Sequence, residues 1–195
     1  MEERPRTVRT LIVLGSGGHT AELLALLEQM DLKRYSPRTY VVASTDRMGA
    51  QKARTFEAQR ESGSSGEQFT GMKTDGRTNV CIIPRSREVG QSYLTSVWTT
   101  LVALWVAFSI VYREVPQLVL VNGPGTCIPI CIAARFFWLM GRRTRIVYTE
   151  SIARVSSLSL SGKILYHLYI ADAFFVQWIE LQRRFPRSMC CGRLF

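Results

Sequence analysis

The chain has 195 residues, 47% of them hydrophobic, and a formal net charge of +10. That length suits one domain with a full-sized core. The pairing of apolar with basic character points to an anionic membrane surface or a phosphate-bearing substrate. It ranks nucleic acid lower, because the aromatics lie within apolar runs rather than between basic residues.

Five cysteines (Cys81, Cys127, Cys131, Cys190 and Cys191) are an odd set without disulfide-framework spacing, and they read as reduced thiols on the cytosolic side of a membrane or in the cytosol. With only His19 and His167 beside them, no metal site is expected.

In chain order, Met1 to Arg9 is polar and basic, unlike a signal peptide or a membrane anchor. A strand is predicted near 9–14, where Thr10 to Leu14 is β-branched and apolar like a buried parallel strand. A helix follows near 18–30, with Leu23, Leu24, Leu26, Leu27 and Met30 at helical spacing. Between them lies Gly15-Ser16-Gly17-Gly18-His19-Thr20. Glycines allow a tight turn and close backbone approach to a ligand, and the free N–H groups of a helix start favour an anion. The loop is neither common phosphate motif. Thr20 stands where a dinucleotide fingerprint needs its third glycine, and no Lys-Ser/Thr pair opens the helix. A packing turn without ligand is the plain alternative. His19 opens the helix as a general base, as a donor to a phosphate, or as a residue satisfying local backbone groups.

Further strands are predicted near 39–44, 79–83, 117–121, 144–149 and 172–176, and helices near 47–60, 91–112, 125–140, 160–169 and 178–185. Residues 61–77 are Gly/Ser-rich and polar, which reads as a mobile loop. Pro84-Arg85-Ser86-Arg87-Glu88 offers two arginines to phosphate oxygens, or is a solvated basic loop. Val89 to Tyr112 carries no charge and has the length of a membrane span, about 20 residues. Its hydroxyl and amide residues, and the interruption a span would make in the strand–helix alternation, favour a helix on the sheet whose outer face enters a membrane interface at Trp98 and Trp105. Asn122-Gly123-Pro124-Gly125-Thr126 is a turn whose glycines let the backbone approach a ligand, with Asn122, Gly123, Gly125 and Thr126 as diphosphate-binding candidates, or it is plain turn chemistry; Thr126 can cap the next helix. The apolar run from Cys127 to Met140 ends in Gly141-Arg142-Arg143; with Arg135 these arginines can face anionic lipid heads, although a core helix is the plainer reading. Glu150 ends a β-branched strand, either accepting a proton or a sugar hydroxyl there, or capping a helix or pairing with Arg154.

Strict alternation implies an α/β fold, Rossmann-like, with a mostly parallel sheet and helices on both faces. Ligands bind outside the carboxyl ends of such strands. The loops at Gly15–Thr20, Pro84–Glu88, Asn122–Thr126 and Glu150–Arg154 all follow strands, so one sheet edge collects glycine turns, arginines and a carboxylate. That is a cradle for a diphosphate.

These segments, together with Tyr35-Ser36-Pro37-Arg38, Glu150-Ser151, Ser161-Gly162-Lys163-Ile164, Gln177-Trp178 and Gly192-Arg193, make the chain resemble a known family along nearly its whole length. The family is the membrane-associated subunit of the eukaryotic UDP-N-acetylglucosamine transferase of dolichol-linked oligosaccharide synthesis. The resemblance implies the N-terminal, acceptor-binding half of a GT-B glycosyltransferase, with no cofactor. It implies a separate donor-binding catalytic subunit as partner, dolichyl-diphosphate-N-acetylglucosamine as acceptor, and the cytosolic face of the endoplasmic reticulum membrane as location. It sets Gly17, Gly18 and His19 beside the acceptor diphosphate with Glu150 nearby, either of the last two serving as base. It makes the tail, residues 186–195 and above all Gly192, Arg193, Leu194 and Phe195, the docking segment for the partner. Members of the family usually carry a transmembrane anchor ahead of the first strand, and here Met1 stands only a few residues before it. Two other readings stay open. One is a non-catalytic membrane adaptor. The other is a stand-alone nucleotide-dependent enzyme with Asp46 on a ribose, against which Thr20 in the glycine loop argues.

Overall fold

The computed structural model describes residues 7–63, 79–85, 93–123, 125–190 and 192, without the side chains of 61–63 and 93–97. Seven strands, β1 (Thr10–Val13), β2 (Arg38–Ala43), β3 (Asn79–Ile83), β4 (Leu118–Val121), β5 (Arg145–Thr149), β6 (Ala173–Val176) and β7 (Met189–Cys190), form one sheet in the order β3-β2-β1-β4-β5-β6-β7. Every neighbouring pair is parallel. Among the described residues six helices alternate with them: α1 (Gly18–Glu28), α2 (Arg47–Gly63), α3 (Tyr93–Glu114), α4 (Cys127–Leu139), α5 (Leu160–His167) and α6 (Ile179–Arg184). The Rossmann-like α/β expectation holds.

Both sheet faces are covered, which is why the central strands are apolar on both sides. Ile12 of β1 and Leu14 just after it pack with Leu23, Leu27 and Phe56 of α1 and α2. Leu11 and Val13 pack on the other face with Ala107, Ile130, Leu165 and Leu181 of α3 to α6. Strand order reverses between β1 and β4, where Val13 stands beside Val121, and Val121 stands beside Tyr148 of β5. The loops leaving β1, β4 and β5 therefore emerge side by side, at the point where such sheets open a crevice.

Three local details differ from expectation. α2 runs to Gly63, into the start of the segment read as a loop, and 64–77 lies outside the described residues. Thr126 precedes α4 but its hydroxyl makes no capping bond, because its backbone is already helical. The tail starts as sheet: Met189 and Cys190 pair with Phe175 and Val176. Cys81, Cys127, Cys131 and Cys190 are free thiols.

α3 buries Ala103, Ala107, Ile110 and Val111, one stripe at helical spacing. Its other side leaves Trp98 at 70% and Trp105 at 80% exposure, with Leu101 and Tyr112 also open. α4 adds exposed Phe136, Trp138, Leu139 and Met140. Phe108 joins the two helices through Phe136 and Phe137, at ring separations of 5.1 and 5.7 Å. No helix among the described residues is long and apolar enough to cross a membrane. Two of the arginines expected to face lipid are engaged within the protein. Arg135 pairs with Asp172 at 3.2 Å, and Arg142 lies 4.8 Å over Tyr112 and 4.7 Å over Phe137.

Candidate active site

The turn after β1 is built from its own residues. Gly17 takes φ +64, a left-handed backbone that side chains resist, and this reverses the chain into α1. Thr20, buried, turns its hydroxyl back to donate to the Gly15 carbonyl, closing the loop on itself. The adjacent turn after β4 places Gly123 at φ +62, where a Cβ would stand 3.1 Å from His19 Cε1 and 3.7 Å from Glu150 Oε1. Glycine at 123 is thus what lets the imidazole lie against the β4 turn.

These turns enclose a cavity of about 590 Å³ lined by Gly15, Ser16, His19, Arg85, Gly123, Gly125 and Thr126. Its apolar wall comes from Leu14, Ile128, Leu160 and Ile164, among others. The lining therefore combines glycine-turn backbone, a guanidinium and an imidazole with hydrocarbon. An anionic head on an apolar tail matches that combination.

The remaining expected site residues stand elsewhere. Gly17 and Gly18 are exposed at the start of α1 with open space where a Cβ would go. Thr20 and Asn122 lie behind the lining, each 1% exposed. Arg87, Arg193, Leu194 and Phe195 lie outside the described residues, and Gly192 is exposed after β7.

Glu150 departs most from expectation. It reaches the correct edge but is fully buried and does not line the cavity. Its Oε2 accepts from the Ser159 backbone N–H at 2.9 Å and hydroxyl at 3.1 Å, and its Oε1 from the Ser151 N–H at 3.2 Å. Ser159 is the N-cap of α5 and in turn accepts from the Gly162 N–H at 3.0 Å. Gly162 makes room for this: a Cβ there would stand 2.4 Å from Glu150 Oε2. Burial, with the Glu150 charge behind it, pushes the Tyr148 hydroxyl well above the usual phenol range, and that hydroxyl lies 2.9 Å from Ser159 Oγ. Glu150 thus ties β5 to the start of α5, which presents Leu160, Ser161 and Ile164 to the cavity.

Glu22 is the residue that sequence reasoning passed over. From α1 its carboxylate accepts from Asn122 Nδ2 at 2.7 Å, Ser151 Oγ at 2.8 Å and the Ile152 N–H at 3.3 Å. Asn122 Oδ1 then lies 3.1 Å from His19 Nδ1. The only sequence signal was an acid one turn after the histidine, at i+3.

A family model described as "Oligosaccharide biosynthesis protein Alg14 like" matches residues 10–194. The Homo sapiens protein named UDP-N-acetylglucosamine transferase subunit ALG14 is 45% identical over 196 residues, covering 100% of this chain and 87% of that protein. The Rattus norvegicus protein of that name is 49% identical over 185 residues, covering 94% of this chain and 82% of its own. The Schizosaccharomyces pombe one is 38% identical over 194 residues, covering 98% and 85%. Among solved structures, Acinetobacter baumannii MurG superposes with a TM-score of 0.55 at 14% identity, covering 87% of this chain and 41% of MurG. That likeness is one of fold: the chain amounts to one Rossmann-like unit of a GT-B architecture and spans less than half of MurG's length. By the extent of the family match and the identity to its relatives, the chain belongs to the Alg14-like family of oligosaccharide biosynthesis proteins.

Proposed function

We propose that this chain is the acceptor-binding subunit of a heteromeric N-acetylglucosamine transferase, working with a separate donor-binding subunit on the cytosolic face of the endoplasmic reticulum membrane. The observation that carries the reading is the cavity at the strand-order reversal, whose lining joins the glycine turns, His19 and Arg85 with apolar Leu14, Ile128, Leu160 and Ile164. It fits dolichyl-diphosphate-N-acetylglucosamine: the diphosphate lies by the Gly15–Gly18 turn and Arg85, and the first isoprene units lie along Leu160 and Ile164. The names of the relatives, transferase subunits, support a donor site on another chain.

In this reading His19 is the base. A hydroxyl of the acceptor sugar attacks the anomeric carbon of the donor N-acetylglucosamine. The new C–O bond forms as the bond to UDP breaks, UDP leaves with the electron pair, and the hydroxyl proton passes to His19. Glu150 is a positioning residue that sets the α5 wall. The exposed aromatics of α3 and α4 lie in the membrane interface, Trp98 and Trp105 at headgroup depth. The end of the chain past β7 meets the partner.

The test is transfer from UDP-N-acetylglucosamine to a short-chain prenyl-diphosphate-N-acetylglucosamine by the two-subunit complex, with association of the subunits checked for each variant. His19→Ala is expected to lower kcat about 10²–10⁴-fold in an intact complex, and Arg85→Ala to raise KM for the acceptor. Wild-type turnover in both variants, with activity lost only on removal of the tail, would make the chain an adaptor and overturn the reading.

A further inference from the structure

We infer that Glu22, acting through Asn122, fixes which nitrogen of His19 carries the proton; this rests on the reading of His19 as the base. The argument is one of donors and acceptors. A carboxylate only accepts. Glu22 Oε1 is taken by the Ser151 hydroxyl and the Ile152 N–H. Its Oε2 lies 2.7 Å from the Asn122 amide, so Asn122 must turn its NH2 that way. Asn122 then has only its carbonyl oxygen left for His19 Nδ1, 3.1 Å away. An oxygen without hydrogen requires Nδ1 to be the donor, so the neutral imidazole carries its proton on Nδ1. Nε2 is left with its lone pair, and His19 lines the cavity.

Every link is constrained. Asn122 is 1% exposed and so cannot satisfy its amide from bulk water instead. Glycine at 123 lets the ring lie against the β4 turn within reach of Asn122, since a Cβ there would stand 3.1 Å from Cε1 and 3.5 Å from Nδ1. Glu22 Oε2 is itself 3.9 Å from Nδ1, too long for a direct bond, so the relay runs through the amide. Ser151 joins this chain to the fully buried Glu150, since its N–H donates to Glu150 and its hydroxyl to Glu22. Glu22 is therefore a positioning residue for the reaction. Its substitution acts on the base and not on acceptor affinity.

The same logic states what substitutions do. In Glu22→Gln, Oε1 still accepts from Ser151 and Ile152, so the new NH2 faces Asn122. Asn122 must then turn over, present its own NH2 to Nδ1, and drive the imidazole proton to Nε2. Adding Asn122→Asp restores an oxygen facing Nδ1, because a carboxylate accepts on both sides.

The experiment reads the tautomer from long-range 1H–15N correlations of the histidine side chains at about pH 8, above the ordinary imidazole range. The chain has only two histidines, and His167→Gln assigns the pair. Expected are a proton on Nδ1 in the wild type, on Nε2 in Glu22→Gln, and on Nδ1 again in the double variant. In the complex, Glu22→Gln is expected to lower kcat by about tenfold or more with KM for the acceptor within about twofold, and the double variant to recover part of kcat. An Nε2–H tautomer in the wild type, or no change in Glu22→Gln, would overturn the relay. The full tautomer pattern with unchanged turnover would uphold the relay and overturn the reading of His19 as base.

Discussion

A single methyl group at Gly162 tests how firmly the buried acid of β5 holds the cavity wall. In Gly162→Ala the new Cβ would stand 2.4 Å from Glu150 Oε2, 2.9 Å from the Tyr148 hydroxyl and 3.1 Å from Ser159 Oγ. Glu150 is fully buried, and its Oε2 can retreat only by giving up the bonds from the Ser159 N–H and hydroxyl. Overpacking of this kind costs about 1–3 kcal/mol, and a weakened hydrogen bond to a charged acceptor about 1.5–3 kcal/mol. Against this, alanine is a better helix former than glycine by up to about 1 kcal/mol. The net expectation is a loss of about 1.5–6 kcal/mol, which is a fall of about 1–3 M in the urea midpoint at a slope of ~2 kcal/mol/M. Gly18→Ala is the control, since a Cβ there meets nothing within 4 Å, and its midpoint is expected to hold or rise slightly. A Gly162→Ala midpoint equal to or above the wild type would refute the anchoring of Glu150 between β5 and α5.

Two other expectations concern stability and surface. Arg38 grips Glu57 through Nε at 2.7 Å and a terminal nitrogen at 2.6 Å, and the Tyr40 hydroxyl donates to the same carboxylate. Burial pushes Glu57 up, but the bonds from Arg38 and Tyr40 outweigh it and hold the carboxyl below its ordinary 4.5. Because the folded value is the lower one, this contribution is whole above about pH 4.5 and is lost as pH falls through the folded value. Glu57→Gln is expected to be less stable at neutral pH and to show a flatter loss on acidification in urea melts; an unchanged acid slope would contradict this. Trp98→Glu with Trp105→Glu is expected to weaken sedimentation with anionic lipid vesicles at least tenfold while leaving the urea midpoint near the wild type, since both indoles are exposed. Equal vesicle binding would remove α3 from the membrane surface.

The legibility of this chain follows from the range of the interactions involved. β1 and β4 are short apolar runs bounded by glycine turns, and α4 is an apolar run closed by Gly141; such elements are written locally, and their bounds fell within two or three residues. Parallel topology then brings Gly15, Ser16, His19, Arg85, Gly123 and Gly125 to one edge, so the cavity lining was legible too. What was not legible was side-chain pairing across the loops. Glu150 was expected to face substrate, but Ser159, nine residues on, supplies two donors that turn it inward. Glu22 looked like one more polar position on an amphipathic helix, because its partners Asn122 and Ser151 lie 100 and 129 residues away. Asn122 is a diphosphate-contact or turn residue by its sequence setting, whereas in the structure its side-chain amide joins two helix-α1 residues across the β4 loop. β7 escaped because two residues carry no periodicity, and its strand character comes from pairing with β6.

On the proposed function, the cavity between the β1, β3 and β4 turns holds the acceptor diphosphate. The most direct measurement is calorimetric titration of a short-chain prenyl-diphosphate-N-acetylglucosamine into the chain in detergent, for the wild type and for Gly125→Trp. Gly125 lines the cavity and a Cβ there meets nothing within 4 Å, so a bulky side chain at this position starts without a backbone clash and occupies cavity space. The account expects saturable wild-type binding that weakens at least tenfold in Gly125→Trp, with an unchanged urea midpoint. Wild-type affinity in a folded Gly125→Trp would contradict it and send the acceptor to another surface.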